Sequence, residues 1–116
     1  LHGMVDMVRN IHEIGKPVIF GINGQNVAGG AVLAMTGDYR IMKKGGTLHY
    51  IEAQVNLAIV RFIFECVSRV TGPDIASYVF QTAIPLKPQK CLELGLVNEI
   101  VDDEQQLLKR AIYVLE

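Results

Sequence analysis

Residues 16–38 constrain the fold of this chain more than any other stretch. Val18, Ile19, Phe20 and Ile22 follow Pro17 as a compact apolar run, which reads as a buried strand, and Asn23-Gly24 ends it. Ala28-Gly29-Gly30 then lets the backbone pass close to a neighbour with no Cβ in the way. Residues 31–35 read as a short apolar helix. Its first N–H groups have no helical acceptor, which suits an anion or a developing oxyanion. A second reading stands beside this one, with Asn-Gly as a hairpin turn and Gly-Gly as close packing.

The flanking sequence alternates helix and strand. Met4, Val8, Ile11 and Ile14 share one face of a helix over residues 2–14, with Asp6, Arg9, Asn10 and Glu13 turned away. His2 and His12 lie on its solvent side, and Gly15 with Pro17 stops it. Thr36-Gly37 closes the short apolar helix, and residues 38–42 read as a strand. Lys43-Lys44-Gly45-Gly46 is a turn without phosphate-loop spacing, and residues 47–51 are a β-rich run expected to pair with the preceding strand. Residues 57–70 form the longest helical pattern, carrying one polar stripe of Arg61, Glu65 and Arg69. The rest of that helix is apolar, including Phe62 and Phe64, and this predicts burial on several sides, one of them against another subunit. Gly72 ends this helix, Pro73-Asp74 opens a further helix through about Phe80, residues 89–94 form a short one stopped by Gly95, and residues 96–101 read as a strand. Asp102-Asp103 caps a last helix from Glu104 onward. The alternation is that of an α/β fold.

Composition narrows the function classes. A net charge of −1 gives no footprint for nucleic acid or an anionic membrane surface. No apolar run reaches membrane-spanning length, because Arg61, Glu65 and Arg69 break the longest candidate. Cys66 and Cys91 lie in no metal-ligand spacing and read as buried thiols of a cytoplasmic or other reducing compartment. No signal peptide is visible, but the chain begins at Leu1, so its targeting is left open. Half of the residues are apolar, much for a single domain of 116 residues, which points to a partner chain or a further segment.

Lys16-Pro17-Val18-Ile19, Asn23-Gly24, Ala28-Gly29-Gly30, Leu33-Ala34 and Asp38 together resemble the signature of the crotonase superfamily, the enoyl-CoA hydratases and isomerases. Leu94-Gly95-Leu96-Val97-Asn98 resembles a second family segment at the expected distance. The resemblance implies a spiral of repeated ββα units, of which residues 1–116 are one crotonase-like domain, the latter part of a protomer, assembled as a homotrimer or hexamer. It also implies an acyl-CoA thioester substrate and no metal or redox cofactor, coenzyme A entering only as part of the substrate. By register Gly29 supplies one of two N–H groups that hold the thioester oxygen. The other belongs to a segment upstream of Leu1. Gly30, Val32 and Tyr50 fall in the implied substrate site, and Asp38 at a structural position expected to hold an ion pair.

The acid–base positions separate the reactions. Hydratases of this superfamily carry one glutamate two residues after the Gly-Gly step and another twenty residues later. Here the first is Val32, which cannot move a proton, and the second is Glu52. Water addition benefits from two positioned carboxylates, whereas a double-bond shift needs one carboxylate that removes a proton at C2 and returns it at C4. The pattern therefore resembles the Δ3,Δ2-enoyl-CoA isomerase branch, with Glu52 as the proton shuttle in an apolar pocket. Ile51 in place of a small residue or proline, and the lack of a Gly/Pro-rich loop after it, also depart from the hydratase pattern. Strand alternation puts Tyr50 on the side of Glu52, and His49 with Ile51 on the other. Alternatives left open are a hydratase, dehydratase or decarboxylase acting on a CoA or carrier-protein thioester, and a non-catalytic binding or assembly protein of the same fold.

Overall fold

A computed structural model describes residues 2–27, 29–50 and 57–116. Helix α1 (His2–Glu13) leads into β1 (Ile19–Ile22), β2 (Gln25–Val27) and α2 (Gly29–Ala34), and β3 (Tyr39–Lys43), β4 (Thr47–His49) and α3 (Leu57–Thr71) follow in the same order. The chain continues through α4 (Pro73–Thr82), α5 (Pro88–Leu94), β5 (Glu99–Val101) and α6 (Glu104–Leu115). Two successive ββα units are thus present. The first strand of each unit joins one parallel sheet, ordered β1-β3-β5, and the second strand joins another, β2-β4. Each unit repeats the path of the one before and is displaced sideways by one strand. This is the spiral that the resemblance implies.

The pairing corrects two expectations. Asn23-Gly24 is a corner between two sheets and not a hairpin, because β2 pairs with β4 and leaves β1 to β3. The strand at Thr47 does not fold back on β3 either. Both edges of β3 are occupied, by β1 and β5, so β4 crosses to the second sheet. The turn between them is tight: the Gly46 amide donates to the Lys43 carbonyl at 2.9 Å. A Cβ at Gly46 would lie 3.0 Å from that oxygen, so a side chain there would have to push the turn open.

The main core lies between the sheets and α2, α3, α4 and α5, and Val8 reaches it from α1. Leu48, Leu86 and Leu96 are each at most 1 % exposed, and burial of such a side chain contributes roughly 1.5–3 kcal/mol. Cys66 and Val67 of α3 enter this core, while Phe62, Ile63 and Phe64 are half-buried against it. Phe64 packs at 6.1 Å from the ring of Phe80 on α4, so part of the apolar surface expected to meet another subunit is covered from within the chain. Ile14 departs from its expected place and is exposed. Helix α1 has ended at Glu13, and Gly15 at φ +71° turns the backbone away.

The expected strand over residues 96–101 is shorter. Leu96 and Val97 donate their amides to the Cys91 carbonyl as the wrap that ends α5, and only Glu99–Val101 joins the sheet. Asp103 caps α6 as expected, accepting the Gln106 amide at 2.8 Å. A second, smaller cluster of Ile41, Val101 and Leu107 packs α6 on the opposite face of the β1-β3-β5 sheet. Among the described residues Asp38 makes no ion pair of the kind expected of it. Its carboxylate accepts the Val18 amide at 2.8 Å and the Val18 carbonyl accepts the Asp38 amide, which fixes the entry to β1 beside β3.

Candidate functional site

The two stretches that carry the candidate site leave from neighbouring strands. Strands β2 and β4 run parallel with Gln25 opposite Thr47, Asn26 opposite Leu48 and Val27 opposite His49. Gly29 is the first residue of α2, two positions past Val27, and Tyr50 directly follows β4. Sheet pairing therefore joins positions far apart in sequence, at the carboxyl ends of parallel strands, where open α/β sheets place their ligands. Glu52 and Ile51 lie outside the described residues.

Around the start of α2 the packing is close. A Cβ on Gly30 would meet the Asn26 Oδ1 at 3.4 Å, and the Asn26 Nδ2 donates to the Gly24 carbonyl at 3.1 Å. The Gly24 carbonyl also accepts the Thr47 amide at 3.1 Å, binding the corner after β1 to the start of β4. Gly30 itself is exposed, whereas Ala31 and Val32 are fully enclosed. Val32 points into the main core at 1 % exposure. An apolar side chain suits that position, and a carboxylate there would need a partner.

Tyr50 is also a core residue, 2 % exposed, with its ring 5.7 Å from that of Phe80. Its hydroxyl donates to the Ala31 carbonyl at 2.7 Å. Burial holds the phenol neutral by raising its pKa well above the ordinary value; Cys91 adds to this and Arg40 opposes it. Tyr50 thus touches α2 directly, a link that strand alternation alone did not reveal. His49 turns elsewhere, its Nε2 lying 2.8 Å from the carbonyl of Ala83, the left-handed residue that ends α4. His12 is exposed as expected and rests against Arg69.

One buried cation braces this region. Arg40, 6 % exposed, donates from Nε to the Leu96 carbonyl and from Nη1 to the Gly37 carbonyl, both at 2.7 Å. Its own backbone exchanges hydrogen bonds with Asn98, whose Oδ1 accepts the Arg40 amide and whose amide donates to the Arg40 carbonyl, each at 2.8 Å. The segments that follow α2 and α5 are thereby fixed to one another. Both contain motifs on which the resemblance rests.

The pattern of the enoyl-CoA hydratase/isomerase family matches residues 2–116. The chain belongs to this family. Among curated relatives of this crotonase-superfamily chain is a crotonyl-CoA hydratase of Syntrophomonas wolfei, 30 % identical over 99 residues, covering 85 % of this chain and 38 % of the relative. The mitochondrial enoyl-CoA delta isomerase 1 of Rattus norvegicus is 30 % identical over 90 residues, covering 76 % of this chain and 31 % of its own length. A monofunctional enoyl CoA isomerase from M. smegmatis superposes with a TM-score of 0.83 at 20 % identity, over 97 % of this chain and 52 % of that one. An enoyl-CoA hydratase from Thermoplasma volcanium gives 0.78 at 27 % identity, over 97 % and 45 %. The crotonase fold is thus present as a partial domain, and the chain spans about two fifths or less of these curated relatives, 38 % and 31 %.

Proposed function

We propose that this crotonase-family chain carries the acid–base and oxyanion residues of an enoyl-CoA isomerase. The substrate is a 3-enoyl-CoA thioester. The carboxylate of Glu52 removes a proton from C2, and the C–H electron pair moves into the thioester to give a dienolate. The Gly29 N–H, with a second donor from outside this chain, holds the oxygen as its charge develops. The protonated Glu52 then delivers the proton to C4, the C3–C4 double bond moves to C2–C3, and the carboxylate is restored. No net proton is consumed.

The observation that carries this reading is Val32. A residue enclosed in the core at 1 % exposure stands where a hydratase would place its first glutamate, which leaves one carboxylate for the chemistry. Further support comes from the isomerase among the relatives at 30 % identity. The acyl thioester carrier in this reading is coenzyme A, held as substrate and not as a resident cofactor. The assembly we propose is a homotrimer or hexamer, which light scattering on the full-length protein measures directly.

The test is incubation of the full-length protein with a 3-enoyl-CoA while the conjugated 2-enoyl product is followed in the ultraviolet. Turnover that is lost in Glu52→Gln supports the reading; no turnover, or turnover indifferent to that change, refutes it. The hydratase relative at 30 % identity motivates a parallel assay. Consumption of a 2-enoyl-CoA with formation of the 3-hydroxy thioester would favour water addition instead.

A further inference from the structure

The last turn of α2 is wound more tightly than the rest. Met35 donates its amide to Val32 at 3.0 Å, Thr36 to Leu33 at 3.0 Å and Gly37 to Ala34 at 3.4 Å. These are bonds to the third residue back, the 3₁₀ pattern, at the end of a helix whose α range runs to Ala34. Ala31 is wholly buried, and the Tyr50 hydroxyl donates to its carbonyl at 2.7 Å. The donor comes from the residue two positions before Glu52, and the acceptor lies two positions after Gly29.

We propose that Tyr50 is a positioning residue: its hydrogen bond to the Ala31 carbonyl sets the first turn of α2, which begins at the proposed oxyanion donor Gly29, against the end of β4. This inference rests on the isomerase reading above. The parallel pair Val27–His49 brings the ends of β2 and β4 side by side. Strand pairing ends there, and the Tyr50–Ala31 bond is a fixed link beyond it. Its ring is held by Phe80, so the hydroxyl has little freedom to follow α2 if α2 shifts. Misplacement of reacting groups by about 1 Å costs on the order of a hundredfold in rate, and loss of one tether should cost part of that.

The test compares full-length wild type, Tyr50→Phe and Glu52→Gln. For Tyr50→Phe the expected result is a kcat lowered about tenfold with KM changed less than about twofold, because ground-state binding does not need the tuned geometry. A second readout is independent of turnover: the carbonyl stretch of ¹³C-labelled butyryl-CoA bound to each protein. Wild type should shift it to lower frequency, and Tyr50→Phe should show a smaller shift at saturating ligand. Should Tyr50→Phe not fold, an ester in place of the 31–32 peptide weakens the same acceptor while leaving Tyr50 intact, and the same reduced shift is expected. An active wild type with inactive Glu52→Gln, but with kcat and carbonyl shift unaltered in Tyr50→Phe, removes the positioning role alone. A wild type that neither turns over nor polarises the carbonyl removes the isomerase reading and this role with it.

Discussion

Arg40 and Leu96, 56 residues apart in sequence, are joined by a hydrogen bond of 2.7 Å from the guanidinium Nε to the backbone carbonyl. The same guanidinium reaches the Gly37 carbonyl, so one side chain satisfies acceptors on two segments that follow different helices. Burial disfavours the charge and lowers the pKa of the group, with Tyr50 and Asp38 acting in the opposite sense. Five fixed donors make arginine able to serve both acceptors at once; a lysine ammonium could not span them in the same plane.

Truncation of this residue should therefore be costly. Arg40→Ala leaves a cavity and two carbonyls without their donor, and a loss of about 2–5 kcal/mol in unfolding free energy is expected. Arg40→Lys should fall between that variant and wild type. Urea titrations followed by circular dichroism measure both, and an Arg40→Ala protein as stable as wild type would contradict the bracing role.

Val32 offers a second test. Val32→Glu would force a carboxylate in among the apolar side chains of the main core, and a loss of about 2–5 kcal/mol is expected. Water addition to a 2-enoyl-CoA should not appear. A variant that melts like wild type and gains hydratase activity would show instead that position 32 faces the reacting groups.

Glu99 gives the fold a pH dependence with a defined sign. Arg110 on α6 donates to both of its oxygens, at 2.6 and 3.0 Å, and Tyr39 donates to Oε2 at 2.6 Å. The Arg110 contact is the main reason that the carboxyl titrates below its usual range; partial burial opposes this and the Tyr39 hydroxyl assists. The folded chain thus keeps Glu99 ionised where the unfolded chain has begun to take up a proton. Its contribution is complete above the unfolded value of about 4.3 and fades as pH falls through the lower folded value. Glu99→Gln should accordingly melt below wild type near neutrality, and the gap should close in acid. A gap that stays constant between neutrality and about pH 3 would show that the carboxylate charge is not what matters.

The thiols make a fourth prediction. Cys91 is fully enclosed and donates to the Leu86 carbonyl, and burial pushes its pKa up to about 12. Burial raises that of Cys66 as well. Because the thiolate is the reactive form, neither should be alkylated by iodoacetamide at mildly alkaline pH until the chain unfolds. Mass spectrometry of the native protein should find both unmodified; rapid labelling of Cys91 would be incompatible with this packing.

Much of the architecture was legible because its signals are local. Pro17, Gly15, Gly95 and Asp103 mark element ends through their own backbone or side-chain chemistry, and each stands where that chemistry predicts. Strand partners were less legible, since a strand carries no local mark of what it pairs with. Residues 43–46 look like a hairpin turn, and only the occupancy of both β3 edges excludes it. Strand β2 was missed outright, because Gln25-Asn26-Val27 is too short and too polar to show a period. Arg40 was overlooked because charged residues are seldom buried. A signal was present nonetheless: Ile41 and Met42 are adjacent and both apolar, so both faces of β3 are covered and Arg40 shares the Met42 side. In the candidate site, sequence named Tyr50 as a neighbour of Glu52, but its hydroxyl partner is a backbone carbonyl on α2, 19 residues away, and a backbone acceptor leaves no mark in composition.

The opposition of Val27 and His49 gives the turn at residues 44–46 the role of a length gauge. Lys44 meets Asp102 at 2.7 Å on the open surface, where solvent screens the pair and leaves it little stabilising effect. Exchanging its side chain should matter little. Adding or removing one residue there would matter a great deal: either the β2–β4 register slips and every side chain of β4 changes face, or the pair is lost. The segment leading to Glu52 would then start one step out of phase with the one leading to Gly29. In this chain the number of residues in that turn, more than their identity, sets the phase between the two halves of the candidate site.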